Sequence, residues 1–176
     1  MGFQDESGIS DKPFVRKTWA LKGNTPHIQS CGGWKKITIS GIIIVDPKNV
    51  QSKLFLRILT GTMTGENFLR FLKELKTHTK KRKLLLFVDG LPSHRSKKVK
   101  EYIKEEHAWL RVERFPGYAP ELNPIEYLWA SMKKKHLGNA RTEHMGELVG
   151  MVKKAKRKMN DTKLLEGFLK ASGLFS

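Results

Sequence analysis

Five consecutive apolar residues, Leu84-Leu85-Leu86-Phe87-Val88, lead from the cations Lys80 to Lys83 straight into an acid, Asp89. A strand apolar on both sides has to be covered on both sides, as in sheets layered between helices. The neighbouring patterns fit that requirement. Residues 37–45 are β-branched, stop at Asp46-Pro47 and read as a strand. Residues 54–59 read as another, and Leu110 to Phe115 alternates like a third. Thr64 is placed to cap a helix with Phe68, Leu69, Phe71, Leu72 and Leu75 on one face. Ser96 to Glu106 has helical spacing, with Val99, Tyr102 and Ile103 inward. Asn123 to His136 carries the stripe Ile125, Leu128, Trp129 and Met132. Two more helices are expected over 142–159 and 161–171, and a turn between strands over 18–30. Residues 1–4 read as the end of a strand that is mostly missing. Strands first, then helix and strand in alternation, make an α/β layout with a mixed sheet.

The chain has 176 residues, enough for one domain with a substantial core. Its 34 Lys and Arg face 17 acids, a formal net charge of +17. An excess of this size points first to nucleic acid and then to acidic membrane surfaces. The cations cluster at Lys80, Lys81, Arg82 and Lys83, at Lys97 and Lys98 with Lys100, at Lys133, Lys134 and Lys135, and from Lys153 to Lys158. Such clusters hold DNA by its phosphates, without reading sequence, and binding of that kind weakens steeply with salt. Solvated helix faces are the competing explanation for them. The single cysteine, Cys31, excludes an internal disulfide framework. No apolar run is long enough to span a bilayer, and the N-terminus has no signal pattern, so an intracellular chain without membrane partners is expected. Trp19 and Trp129 are expected in the core, with Trp34 undecided.

Three acids stand where chemistry can use them. Asp89 ends the apolar strand, and open α/β sheets gather their sites at strand ends. Starting a turn is its competing role. Glu126 falls one turn into a helix framed by Asn123-Pro124, where a capping box would bend it back to the Asn123 amide. Asp5 lies near the start. Glu6 beside it would face the other side of a strand, so one of the two is expected at a given site. Asp46 is read as the start of an Asp-Pro turn. His94 can order a phosphate or water, or orient an acid. Three carboxylates from separate elements suit Mg²⁺ or Mn²⁺, which prefer oxygen ligands. A pair of such ions drives in-line displacement without a protein nucleophile.

The segments Phe3-Gln4-Asp5-Glu6-Ser7-Gly8 (followed by Arg16, Trp19, Gly23 and Pro26), Phe87-Val88-Asp89-Gly90-Leu91-Pro92-Ser93-His94 and Tyr118-Ala119-Pro120-Glu121-Leu122-Asn123-Pro124-Ile125-Glu126 (followed by Trp129 and Lys133) resemble the DDE transposases of the mariner-like bacterial insertion-sequence superfamily. The third block is the most specific. The resemblance covers roughly residues 2–137. It implies a ribonuclease-H-like mixed sheet flanked by helices, with a catalytic domain over 1–140 and a helical extension of it over 141–176. It implies that Asp5, Asp89 and Glu126 are the catalytic, metal-binding triad, supported by His94 and Asn123, and that two Mg²⁺ or Mn²⁺ ions are the cofactor. The implied activity is cleavage of double-stranded DNA at transposon ends and joining of the freed 3′-hydroxyl to target DNA, in the bacterial cytoplasm at the nucleoid, with a homodimer as the candidate assembly. Gly90 stands where the family often has Asn. The helix-turn-helix domain that usually precedes the catalytic domain is expected to be absent. The rival functions are an inactive, truncated remnant that only binds DNA, and another nuclease of the same fold.

Overall fold

The computed structural model describes residues 1–10, 19–24, 36–48, 51–117, 119–138, 142 and 144–175. Arg16, Pro26, Cys31, Trp34, Tyr118 and most of the 18–30 turn lie outside them. Strands β1 (Gly2–Ser10), β2 (Lys36–Val45) and β3 (Ser52–Thr60) pair antiparallel, whereas β4 (Leu84–Val88) runs parallel to β1, and β5 (Leu110–Arg114) parallel to β4. The sheet order is β3-β2-β1-β4-β5. Helices α1 (Gly65–His78) and α2 (Lys97–Glu105) cover one face, and α3 (Pro124–His136), α4 (Met145–Met159) and α5 (Thr162–Ala171) cover the other. The mixed sheet and the positions of its helices are those the sequence predicts.

Side-chain alternation divides the core in two. Leu84, Leu86 and Val88 of β4 pack with Phe68, Phe71, Leu72 and Leu75 of α1. Phe87 points the other way and stacks on Phe3 of β1, with ring centroids 5.4 Å apart. The five apolar residues of β4 are thus explained by a helix layer on each side. Thr64 caps α1 through a 3.2 Å bond from the Asn67 amide, as its position in the sequence predicts. Asp46 starts the expected turn, accepting from the Lys48 amide at 3.0 Å.

The first strand differs from expectation. It is not a remnant of four residues but runs for nine, pairing with β2 from Gly2↔Ile44 to Ser10↔Lys36. The polar stretch from Asp5 to Gly8 has little strand propensity of its own, and the Ile-rich partner β2 supplies the pairing. Lying between β2 and β4, β1 also leaves no open edge there. Trp19 is a second departure: it belongs to the long β1–β2 connection and is 100% exposed. Trp129, by contrast, is 2% exposed and in the core, as expected.

The C-terminal helices complete this core. Leu148, Val152, Ala155 and Met159 of α4, with Leu165 and Leu169 of α5, join the cluster that holds Phe3 and Trp129. Asn160 accepts from the Leu54 amide at 2.8 Å, and Lys156 donates to the Leu56 carbonyl at 3.2 Å. Both bonds satisfy backbone groups of the edge strand β3, which would otherwise offer a template for pairing with another chain.

Gly41 is the tightest packing point beneath α3. A Cβ there would lie 2.7 Å from the Trp129 ring and 3.0 Å from Ile125. Because both are buried, neither can yield cheaply. Gly41→Ala is expected to lower unfolding stability by about 1–3 kcal/mol, measured by urea denaturation.

Candidate active site

The parallel register of β1 and β4 sets the site. Phe3 pairs with Phe87. Asp5 and Asp89 each lie two residues further on, at the same level, where the two strands part. Alternation puts Asp5 on the α3 side with Phe3 and turns Glu6 to the α1 side. Asn123 fixes the third element. Its Oδ1 caps α3 by accepting from the Ile125 amide at 3.4 Å, and its Nδ2 donates to the Gln4 carbonyl at 3.5 Å. The start of α3 is thereby clamped to the strand carrying Asp5. Trp129, one turn after Glu126, donates from Nε1 to Asp5 Oδ2 at 3.0 Å.

Glu126 is not a capping-box residue. The Asn123 amide it would have capped donates instead to the Pro120 carbonyl at 3.0 Å, because the preceding 3-10 turn (Pro120–Leu122) takes it up. The exposed Glu126 side chain makes no hydrogen bond or ion pair among the described residues, and its charge acts on Asp5. Burial, and then the Glu126 carboxylate, push Asp5 up to about 7. Two neighbouring carboxylates with no cation paired to them among the described residues make an electrostatic deficit that a hard cation would fill.

Asp89 is held differently. Its Oδ1 accepts from the Leu91 amide at 2.9 Å, so the predicted turn is present. The same oxygen lies 2.8 Å from His94 Nδ1, and His94 Nε2 lies 3.1 Å from Glu6 Oε1. The His94 side chain is 1% exposed and sits over Phe68 at 4.1 Å between ring centroids. Burial disfavours its charge, but Asp89 and Glu6 outweigh that and raise it to about 9. Asp89 is correspondingly lowered: burial works against its charge, but the bonds from His94 and the Leu91 amide prevail. His94 thus lies between two carboxylates, with one ring nitrogen beside Asp89 and the other beside Glu6. Gln4 extends the chain of contacts, donating from Nε2 to Glu6 Oε1 at 2.7 Å and to Ser40 Oγ at 3.2 Å.

Among the described residues, Glu6, Asp89 and His94 form the group whose ligand atoms lie within 4.8 Å of one another. The predicted triad is therefore arranged as two neighbouring parts, Asp5 with Glu126 and Asp89 with His94. Of these residues, Glu6 was left by alternation as the alternative to Asp5, and the resemblance chose Asp5. Sequence reasoning missed Trp129 as a hydrogen-bond donor, although the spacing of three residues from Glu126 put it on the correct side of the helix. It also missed Arg114, whose guanidinium occupies the space a Cβ at position 90 would need and whose charge helps lower Asp89.

The cation clusters are distributed unevenly about these acids. Lys97 and Lys98 open α2 just after the His94 turn, with Lys98 2.8 Å from Glu66 and Lys97 4.0 Å from Glu101. Lys133, Lys134 and Lys135 lie in the last turns of α3. Lys80 to Lys83 precede β4, a strand's length of about 17 Å from Asp89.

A pH prediction follows from Asp5. The folded, metal-free chain keeps a proton there that the unfolded chain releases near 3.8. The contribution of Asp5 to stability is therefore fully present below that pH and is lost as pH rises towards 7. Asp5→Asn is expected to remove this loss, stabilising the metal-free protein above pH 7 by about 2–4 kcal/mol and having no such effect near pH 3.5, measured by denaturant unfolding of both proteins across that range.

Comparisons with known proteins place this geometry. Residues 1–149 match the family model of the DDE superfamily endonucleases. An uncharacterized 39 kDa protein of insertion element IS630 from Shigella sonnei is 24% identical over 152 residues. The match takes in 86% of this chain and 43% of that protein, so the chain spans less than half the relative's length. Among solved structures, the Mos1 mariner paired-end complex with Mn superposes with a TM-score of 0.72 over 98% of this chain and 53% of that one, at 17% identity. The Mos1 transposase catalytic domain with raltegravir and Mg gives a TM-score of 0.65, covering 98% and 79%, at 16% identity. The fold is thus the ribonuclease-H-like fold of a transposase catalytic domain, and the chain belongs to the DDE superfamily of endonucleases.

Proposed function

We propose that this chain is the catalytic unit of a transposase that cuts double-stranded DNA at transposon ends and joins the freed 3′-hydroxyl to target DNA. The observation that carries this is the cation deficit at Asp5 and Glu126, on the same level as Asp89, in a chain of net charge +17. In this proposal Asp5, Asp89 and Glu126 hold Mg²⁺ or Mn²⁺, as a pair of ions. The Mos1 structures with Mg and with Mn support the choice of metal. Such ions activate the attacking oxygen and stabilise the leaving one in an in-line displacement. The chain's own residues prepare the site. Trp129 fixes one oxygen of Asp5, His94 locks Asp89 in place, and the Asn123 clamp holds Glu126 against β1. Strand alternation, which puts Asp5 and not Glu6 on the α3 side with Glu126, favours Asp5 as the third ligand. Lys97, Lys98, Lys133, Lys134 and Lys135 contact phosphates near the acids.

The source is proposed to be a bacterial cytoplasm, at the nucleoid, in keeping with the insertion-element relative. No helix among the described residues is long and apolar enough to cross a membrane. Assembly as a homodimer on two DNA ends belongs to the same proposal, supported by the paired-end complexes of Mos1.

Two experiments bear on the site. A labelled duplex incubated with Mn²⁺ or Mg²⁺ should be nicked and joined by the wild type, with activity lowered at least about a thousandfold in Asp89→Asn and in Glu126→Gln, a loss of some 4 kcal/mol of transition-state stabilisation. Circular dichroism should show both variants folded. A wild type that binds the duplex and never cuts it would leave the DNA-binding remnant in place of the enzyme. Nicking without joining would point to a plain nuclease. Separately, Trp129→Phe keeps an aromatic ring and deletes the donor to Asp5. It is expected to weaken Mn²⁺ binding about 10–100-fold, measured by calorimetry on protein that circular dichroism shows to be folded, with a stability loss of about 1–3 kcal/mol from the truncated core side chain.

A further inference from the structure

A second electropositive feature lies at the opposite end of the sheet from the acids. A cavity of about 340 Å³ opens there between the end of β2, the start of β4 and the segment that follows α1. Lys53, Lys80, Arg82 and Lys83 line it. All four are exposed, and none forms an ion pair among the described residues. Their neighbours show the contrast: Lys76 is 2.6 Å from Glu106, and Arg57 is 2.9 Å from Glu74. One carboxylate, Asp46, faces the cavity, and its Oδ1 is already engaged by the Lys48 amide. His78, also on the lining, is lowered by burial and by the positive charges of Lys156 and Lys53, which reports an electropositive environment. The backbone contributes too. Lys80 and Lys81 turn the chain out of α1 with φ of 52° and 58°, a left-handed conformation that non-glycine residues adopt at a cost.

We propose that this cavity is a second phosphate-binding site, separate from the acids, in which Lys53, Arg82 and Lys83 grip a phosphate group of a nucleic-acid backbone. Unpaired cations around a concave surface are the electrostatic complement of a phosphate, and the arginine fork can take two of its oxygens at once. Carried on DNA, that phosphate lies well away from the cutting site, about 17 Å off, the length of β4. The cavity would then hold a more distant part of the bound duplex, or another duplex. A free nucleotide or inorganic phosphate offers the same chemistry. The choice of nucleic acid as the source rests on the function proposed above.

The test uses the whole chain and a Lys53→Gln/Arg82→Gln/Lys83→Gln variant, whose substitutions are all exposed. In one arm, inorganic phosphate is titrated against ¹⁵N-labelled protein. In the other, affinity for a blunt duplex is measured across salt concentrations. Phosphate is expected to move the amide signals of residues 79–84 in the wild type and not in the variant. The slope of log affinity against log salt should fall by about 1 in the variant, from one phosphate no longer neutralised, at about 0.9 per phosphate. Asp89→Asn should alter neither result. Phosphate shifts with an unchanged salt slope would overturn the nucleic-acid source and assign the cavity to free phosphate or nucleotide. If neither probe separates the variant from the wild type, there is no second site. Failure of the wild type to nick DNA would sink the catalytic proposal and leave both arms readable.

Discussion

The site depends on a very short parallel contact. Strands β1 and β4 pair only through Gly2↔Leu86 and Phe3↔Phe87 before they diverge. The Phe3–Phe87 stack closes that contact on the α3 side. Just beyond it the strands separate, and the opening between them receives two acids at one level. A longer pairing would fill the opening with backbone hydrogen bonds. A slip by one residue would send Asp5 to the α1 side. The flanking helices then add one group each: Glu126 from α3, and His94 from the turn before α2.

Opposite problems in charge are solved on the two sides of this opening. On the α1 side, Glu6 and Asp89 share the buried His94, and the Arg114 charge also acts on Asp89, so cations of the protein offset both carboxylates. On the α3 side, Asp5 and Glu126 have no paired cation among the described residues, and burial with the Glu126 charge pushes Asp5 up to about 7 despite the Trp129 indole and the Glu6 amide. Folding therefore leaves one half whose carboxylates are offset by protein cations and one half whose carboxylates have no paired cation among the described residues. In a chain of net charge +17, this small negative site is surrounded by a surface suited to polyanions.

Much of this was legible in the sequence because it is local. The five apolar residues of β4 required helices on both faces, Thr64 marked the start of α1, and the stripe from Ile125 to Met132 named the buried side of α3. Asp89 was readable as a strand end. What escaped depended on partners distant in the chain. The strand through Asp5 to Gly8 exists because β2 pairs with it, and its own residues do not announce it. The capping box at Glu126 was sound by local rules, and it failed because the Pro120 carbonyl reached the Asn123 amide first. Trp129 as a donor to Asp5 spans 124 residues of sequence. Trp19 shows the reverse error, since a large aromatic in a long connection need not find a core.

The central claim is that the unbalanced pair, Asp5 and Glu126, joins Asp89 in holding divalent metal. Anomalous diffraction from crystals grown with Mn²⁺ tests this most directly. Scattering between Asp5, Asp89 and Glu126, with His94 still bridging Glu6 and Asp89, is the predicted result. Manganese among Glu6, Asp89 and His94, with Asp5 and Glu126 left without a metal, would contradict it.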